Sequence, residues 1–214
     1  ESPNIVVILA DDLGYGSASC YGADIQHIRT PNIDRLAKEG LQFLDANTPG
    51  SVCTPTRYAL LTGRYAWRGR LKHGVLSPPE GPLLIEPELL TLPRYLKEHG
   101  YQTAHVGKWH LGYTTLDVVK DLSAQPLEPG PRFLGFDYHF GVPNNIDWLP
   151  KVYVENESIW GLRSKGKSPY GKSSYKGQPY HGYDAPQRVT TKVNQDLADA
   201  AGNWISKSVR QIPE

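Results

Sequence analysis

No apolar run in the 214 residues approaches the length of a membrane span, so the sequence offers no transmembrane helix. No N-terminal stretch has the layout of a secretion leader. The chain opens Glu1-Ser2-Pro3 and enters an apolar run at once, as an exported chain does after its leader is removed, and as a chain cut at that point also would. Charge of one sign is lacking too. Twenty-three Lys and Arg against 22 Asp and Glu leave a net charge of +1, without the basic stripe of a nucleic-acid protein. Cysteine is scarce. Cys20 and Cys53 could form one disulfide or be two free thiols, and two cysteines do not decide a compartment. No internal repeat is found.

What is present is ordinary for a soluble globular protein: 39% apolar and 21% charged residues. The length suits one good-sized core or a large piece of a bigger one. Eighteen prolines, 21 glycines and 13 tyrosines point to many turns and loops.

Asn4 to Ala10 is a β-branched apolar run with no alternation, the pattern of a strand buried on both faces of a parallel sheet. It ends in Asp11-Asp12 and a Gly14-Tyr15-Gly16 loop. Thr30 to Gly40 reads as a helix with Thr30 as cap, Pro31 in the first turn and Gly40 as its stop. Gly40 to Asp45 is a short strand candidate. Pro55 to Leu61 reads as a helix start closed by Gly63, Thr91 to Gly100 as another helix, and Tyr101 to Lys108 as a strand. Helices alternating with strands predict an α/β fold with a mostly parallel, mixed central sheet flanked by helices. From about 112 to 190 the pattern weakens into a loop-rich insertion, with a short strand candidate over Lys151–Val154 and a long polar loop over Lys165–Gly177. Thr190 to Ser208 returns to helical periodicity, with Val193, Leu197, Ala200, Ala201, Trp204 and Ile205 on one side.

Three strings carry chemistry. In Cys53-Thr54-Pro55-Thr56-Arg57, Pro55 favours a helix start, so Cys53 sits at the positive helix end and Arg57, four residues on, shares its face. That is an anion site with a nucleophile beside a fixed charge. Asp11-Asp12, at the end of the first strand, are adjacent hard donors suited to calcium or magnesium, or else an acidic helix cap. In Gly107-Lys108-Trp109-His110, residues two apart on an extended backbone point the same way, so Lys108 and His110 can share a pocket while Trp109 turns into the packing.

The string Cys53-x-Pro55-x-Arg57-x-x-x-x-Thr62-Gly63 resembles the signature of the type I, formylglycine-dependent sulfatases of the alkaline phosphatase superfamily. Ala10 to Gly16 is similar to that family's first metal motif, and Gly107 to Gly112 to the string holding its sulfate-binding lysine and a histidine that hydrogen-bonds the formylglycine. The three motifs stand in the family's order and cover the chain up to about Tyr113. The resemblance implies the N-terminal part of an alkaline-phosphatase-like sulfatase fold over 1–214. It implies a formylglycine made from Cys53 by a formylglycine-generating enzyme, and a Ca2+ ion (Mg2+ as substitute) on Asp11, Asp12 and the modified Cys53 side chain. Arg57, Lys108 and His110 are then catalytic, with Lys108 also binding the substrate sulfate. The implied reaction is hydrolysis of a sulfate ester on a small molecule or, preferably, a glycan. Attack by one hydroxyl of the hydrated aldehyde gives a sulfo-enzyme, which the second hydroxyl resolves. An exported location (periplasmic, extracellular or lysosomal) follows from the same resemblance.

The family's later Asp-Asn metal ligands, its leaving-group histidine and its second lysine have no counterpart. Asn144-Asn145-Ile146-Asp147 comes too early, and His181 follows no apolar strand. We therefore expect the C-terminal remainder of the catalytic domain to be missing, and the 214 residues alone to be inactive and unstable. Three other functions stay open: a phosphonate or phosphate monoester hydrolase of the same superfamily, a non-catalytic relative, and an ordinary thiol enzyme, which would leave Asp11-Asp12 without a role. The oligomeric state is not readable.

Overall fold

The computed structural model describes residues 2–76, 82–114, 126–148, 151–162, 169–175, 178–183 and 185–209, with side chains not described for 169–183. The chain divides into two compact units, 1–48 and 49–214.

Among its described residues the first unit holds two short 3-10 turns, Tyr15–Ser17 and Ser19–Tyr21, and one α-helix, α1 (Pro31–Glu39), with Pro31 in its first turn and Gly40 closing it. Thr30 does not cap it through its side chain. Its hydroxyl instead accepts the Ser19 N–H at 2.8 Å and donates to the Asp34 carboxylate at 3.2 Å, while that carboxylate also accepts the Cys20 N–H at 2.9 Å. Two expected strands are absent. Residues 4–10 and 40–45 are in neither helix nor strand. The β-branched run needs neighbouring strands to pair its backbone and packed layers to cover its faces, and among the described residues no strand pairs with it. Val6 is 70% exposed and Ile8 83%.

The second unit carries the sheet and the core. Helix α2 (Cys53–Thr62) starts two residues before the expected position, and Gly63 ends it in the left-handed conformation with its N–H on the Ala59 carbonyl. In α3 (Leu92–Glu98), Thr91 does cap, accepting the Arg94 N–H. Four strands follow: β1 (Ala104–Lys108), β2 (Tyr138–Val142), β3 (Val154–Glu155) and β4 (Ser158–Ile159). They form one mixed sheet in that order, with β1–β2 parallel and the other two pairs antiparallel. The register pairs Gly107 with Gly141. A Cβ on Gly141 would lie 1.8 Å from the Gly107 carbonyl oxygen, so only glycine fits there. Gly107 itself holds φ +140, which a side chain disfavours. Part of the expected 165–177 loop is instead a hairpin, β5 (Pro169–Tyr175) with β6 (Gln178–Tyr183), which also contains His181. Its alternation was too weak to read as strand.

Tyr58, Trp109, Leu111, Tyr113, Leu134 and Val154 lie within the main core. A second cluster joins Phe140, Val142 and Tyr153 of the sheet region to Val193, Leu197 and Ala200 of helix α4 (Val193–Val209). The apolar stripe of α4 is thus used at its N-terminal half, and Ile205 stays 45% exposed.

Candidate active site

Cys53 occupies the first position of α2, where unpaired N–H groups and the helix dipole favour an anion. Lys108, the last residue of β1, brings its Nζ to 3.0 Å from the Cys53 Sγ. Arg57 lies one turn along α2, and its Nη1 donates to the Lys108 carbonyl at 2.6 Å. The guanidinium therefore ties the lysine's backbone to the helix that carries the cysteine.

His110 is fully buried, and its surroundings define it closely. Its N–H donates to the Pro143 carbonyl at 2.8 Å, its carbonyl accepts the Thr54 hydroxyl at 3.0 Å, and its Nε2 meets the Leu76 carbonyl at 3.0 Å. Its φ of +54 ends the extended alternation at Trp109, so the two-residue spacing argument holds for Lys108 but not for His110. Trp109 is in the core as expected, 1% exposed, with its Nε1 on the Gly112 carbonyl. Thr54, next to Cys53, was not singled out from sequence. Its hydroxyl also accepts the Leu76 N–H at 3.2 Å, so one buried residue joins α2 to both the 76 and the 110 backbone.

The strand that carries Lys108 holds a second feature, one with no local signal in the sequence. His105 and His139 are paired across β1 and β2. Their Nδ1 atoms are 3.0 Å apart, and the Tyr113 hydroxyl meets His139 Nε2 at 3.1 Å. Burial, reinforced by the charge of Arg57, pushes His105 down to about 3. Burial, with the neighbouring imidazole, holds His139 well below its usual value. Both are neutral at pH 7. Only a parallel register reveals such a pair, and a single sequence does not print it.

Asp11 and Asp12 belong to the first unit. Both are exposed, and Asp12 takes φ +57, a left-handed conformation that aspartate tolerates better than most residues. Two carboxylates are the hard oxygen donors that calcium or magnesium prefers, so the set fits such an ion in kind. They cannot fill six to eight positions, so further ligands are needed. Both cysteines are free thiols.

A sulfatase family profile matches residues 3–204, and the chain belongs to the sulfatase family. It is 38% identical over 207 residues to an N-acetylgalactosamine-6-O-sulfatase of Bacteroides thetaiotaomicron, covering 97% of this chain and 39% of that protein. It is 46% identical over 138 residues to human arylsulfatase A, covering 64% of this chain and 25% of that enzyme. A solved structure reported under the metabolism of multiple glycosaminoglycans by Bacteroides thetaiotaomicron superposes with a TM-score of 0.81 at 32% identity, over 96% of this chain and 48% of that one. The fold is accordingly the alkaline-phosphatase-like fold of sulfatases, and the chain spans about two fifths of its curated relative's length.

Proposed function

We propose that the protein hydrolyses a sulfate ester of a carbohydrate, using a formylglycine made from Cys53 and a bound calcium ion. The observation that carries this reading is the 3.0 Å approach of Lys108 Nζ to Cys53 Sγ, with Arg57 on the Lys108 carbonyl. A sulfate attacked at position 53 would thus meet a cation already held against the helix terminus. Such charge is worth most where it develops in the transition state. Asp11 and Asp12, with the modified side chain at Cys53, would hold the ion, which would supply positive charge to the sulfate oxygens. Arg57 would favour the anionic oxygen of the nucleophile. Lys108 would take up charge on the transferring sulfate. His110 would orient the nucleophile's hydroxyl or accept its proton. The names attached to the Bacteroides relative and structure, an N-acetylgalactosamine-6-O-sulfatase and the metabolism of multiple glycosaminoglycans, support a sulfated sugar as substrate. We assign both units to one catalytic domain of an exported protein matured by a formylglycine-generating enzyme. No helix among the described residues is long and apolar enough to cross a membrane.

The test uses the full-length protein, coexpressed with a formylglycine-generating enzyme, with the mass of the Cys53 peptide confirming the aldehyde. Aryl sulfate and aryl phosphonate hydrolysis are compared with calcium and with chelator, then sulfated glycans are tried. Calcium-dependent preference for sulfate is expected. Preference for phosphonate would move the protein to the phosphonate hydrolases. Lys108→Ala should lower kcat about 100- to 1,000-fold, and an unchanged rate would remove Lys108 from the site.

A further inference from the structure

We propose that Arg188 is the positioning residue for His110, acting through Trp148. The proposal rests on the catalytic role given to His110 above.

Arg188 is a buried cation, 4% exposed, and its guanidinium reaches several carbonyls of the 145–152 stretch. Nη2 donates to the carbonyls of Asn145 at 3.0 Å, Ile146 at 3.2 Å and Trp148 at 2.7 Å. Nε donates to Ile146 at 3.3 Å, and Nη1 to Val152 at 2.9 Å. Its own main-chain N–H bonds the Lys151 carbonyl at 2.9 Å. A planar fork of five N–H donors can serve several carbonyls at once, whereas a lysine offers one point charge with three donors. The segment it gathers makes its own turn, Trp148 N–H to Asn145 carbonyl, at 3.0 Å.

That turn delivers Trp148 to His110. The two rings meet edge to face, 5.7 Å apart at 82°. His110 needs such support. A non-glycine residue at φ +54 is strained and persists only where its surroundings over-determine it. Pro143, Thr54 and Leu76 fix its backbone and Nε2, and Trp148 packs against the ring at a near-right angle. Arg188 lies far along the chain from Cys53, yet it sets an aromatic wall for this imidazole.

The experiment uses the full-length, formylglycine-matured enzyme. Arg188→Lys keeps the charge but loses the fork, and Trp148→Phe removes the indole without touching the arginine. The His110 imidazole 15N and 1H resonances, assigned by their loss in His110→Gln, report ring position whether or not the enzyme turns over. We expect R188K and W148F each to move those resonances and to lower kcat about 10-fold, with KM changed less than 3-fold. We also expect the double variant to be no slower than the worse single one, as for two parts of one device. Losses that multiply, or His110 resonances unmoved in R188K, would overturn the proposal. Should R188K fail to fold, W148F decides alone: unmoved resonances and an unchanged kcat would refute it. A wild-type enzyme that leaves sulfate esters intact would sink the sulfatase reading instead, while the resonances would still decide the arginine's role.

Discussion

Residues 1–48 and 49–214 handle similar apolar material in opposite ways. The run from Ile5 to Leu9 is as hydrophobic as any strand of the sheet, yet it lies open, whereas Val142, Val152 and Val154 are fully buried. The first unit is held instead by short polar links such as Ser19, Thr30 and Asp34. Hydrophobicity thus sets what a segment can become, and neighbours decide whether it does. Burial is worth about 25 cal/mol per Å2 only when something lies opposite.

The contrast can be broken in three places. The largest effect is expected at Leu134, fully buried in the main core. Leu134→Ala should cost about 2–5 kcal/mol in chemical denaturation of the full-length protein, and a loss under about 1 kcal/mol would mean that the core tolerates a void. Next come the buried imidazoles. His105 and His139 are held neutral when folded, while the unfolded chain takes up protons below about 6.5. Their folded values are depressed, so stability is full above the unfolded value. It falls as pH drops from there toward the folded values, by up to about 1.4 kcal/mol per pH unit for each group. Denaturation between pH 7.5 and 5 should show this slope and H105Q/H139Q should flatten it; equal slopes would mean the pair is not dry. The smallest effect belongs to the first unit. Ile8→Ser should change stability by less than about 0.5 kcal/mol, and a loss of several would show that the 4–10 run finds a covering face.

Legibility followed the same line. Cys53, Arg57 and Lys108 were readable because helix and strand periodicity place neighbours in sequence as neighbours in space, and α2 and β1 obey that rule. The strand at 4–10 was misread because its pattern states a need for partners that the described residues do not meet. His110 was only partly legible, because its left-handed backbone breaks the alternation used to aim it. Thr54, His139 and Arg188 were missed because each works across 26 or more residues of separation, and no local pattern encodes such a contact.

The pairing of Gly107 with Gly141 bears on how mutational scans of this protein would be scored. Any side chain at 141 collides with the Gly107 carbonyl, one residue before Lys108. A substitution there pushes β1 off its register and carries the lysine away from Cys53. Position 141 would therefore score as intolerant as a true active-site residue, although it offers no group to a substrate. Ranking residues by lost turnover alone would mistake clearance between two strands for chemistry, and only a separate measurement of folding would tell them apart.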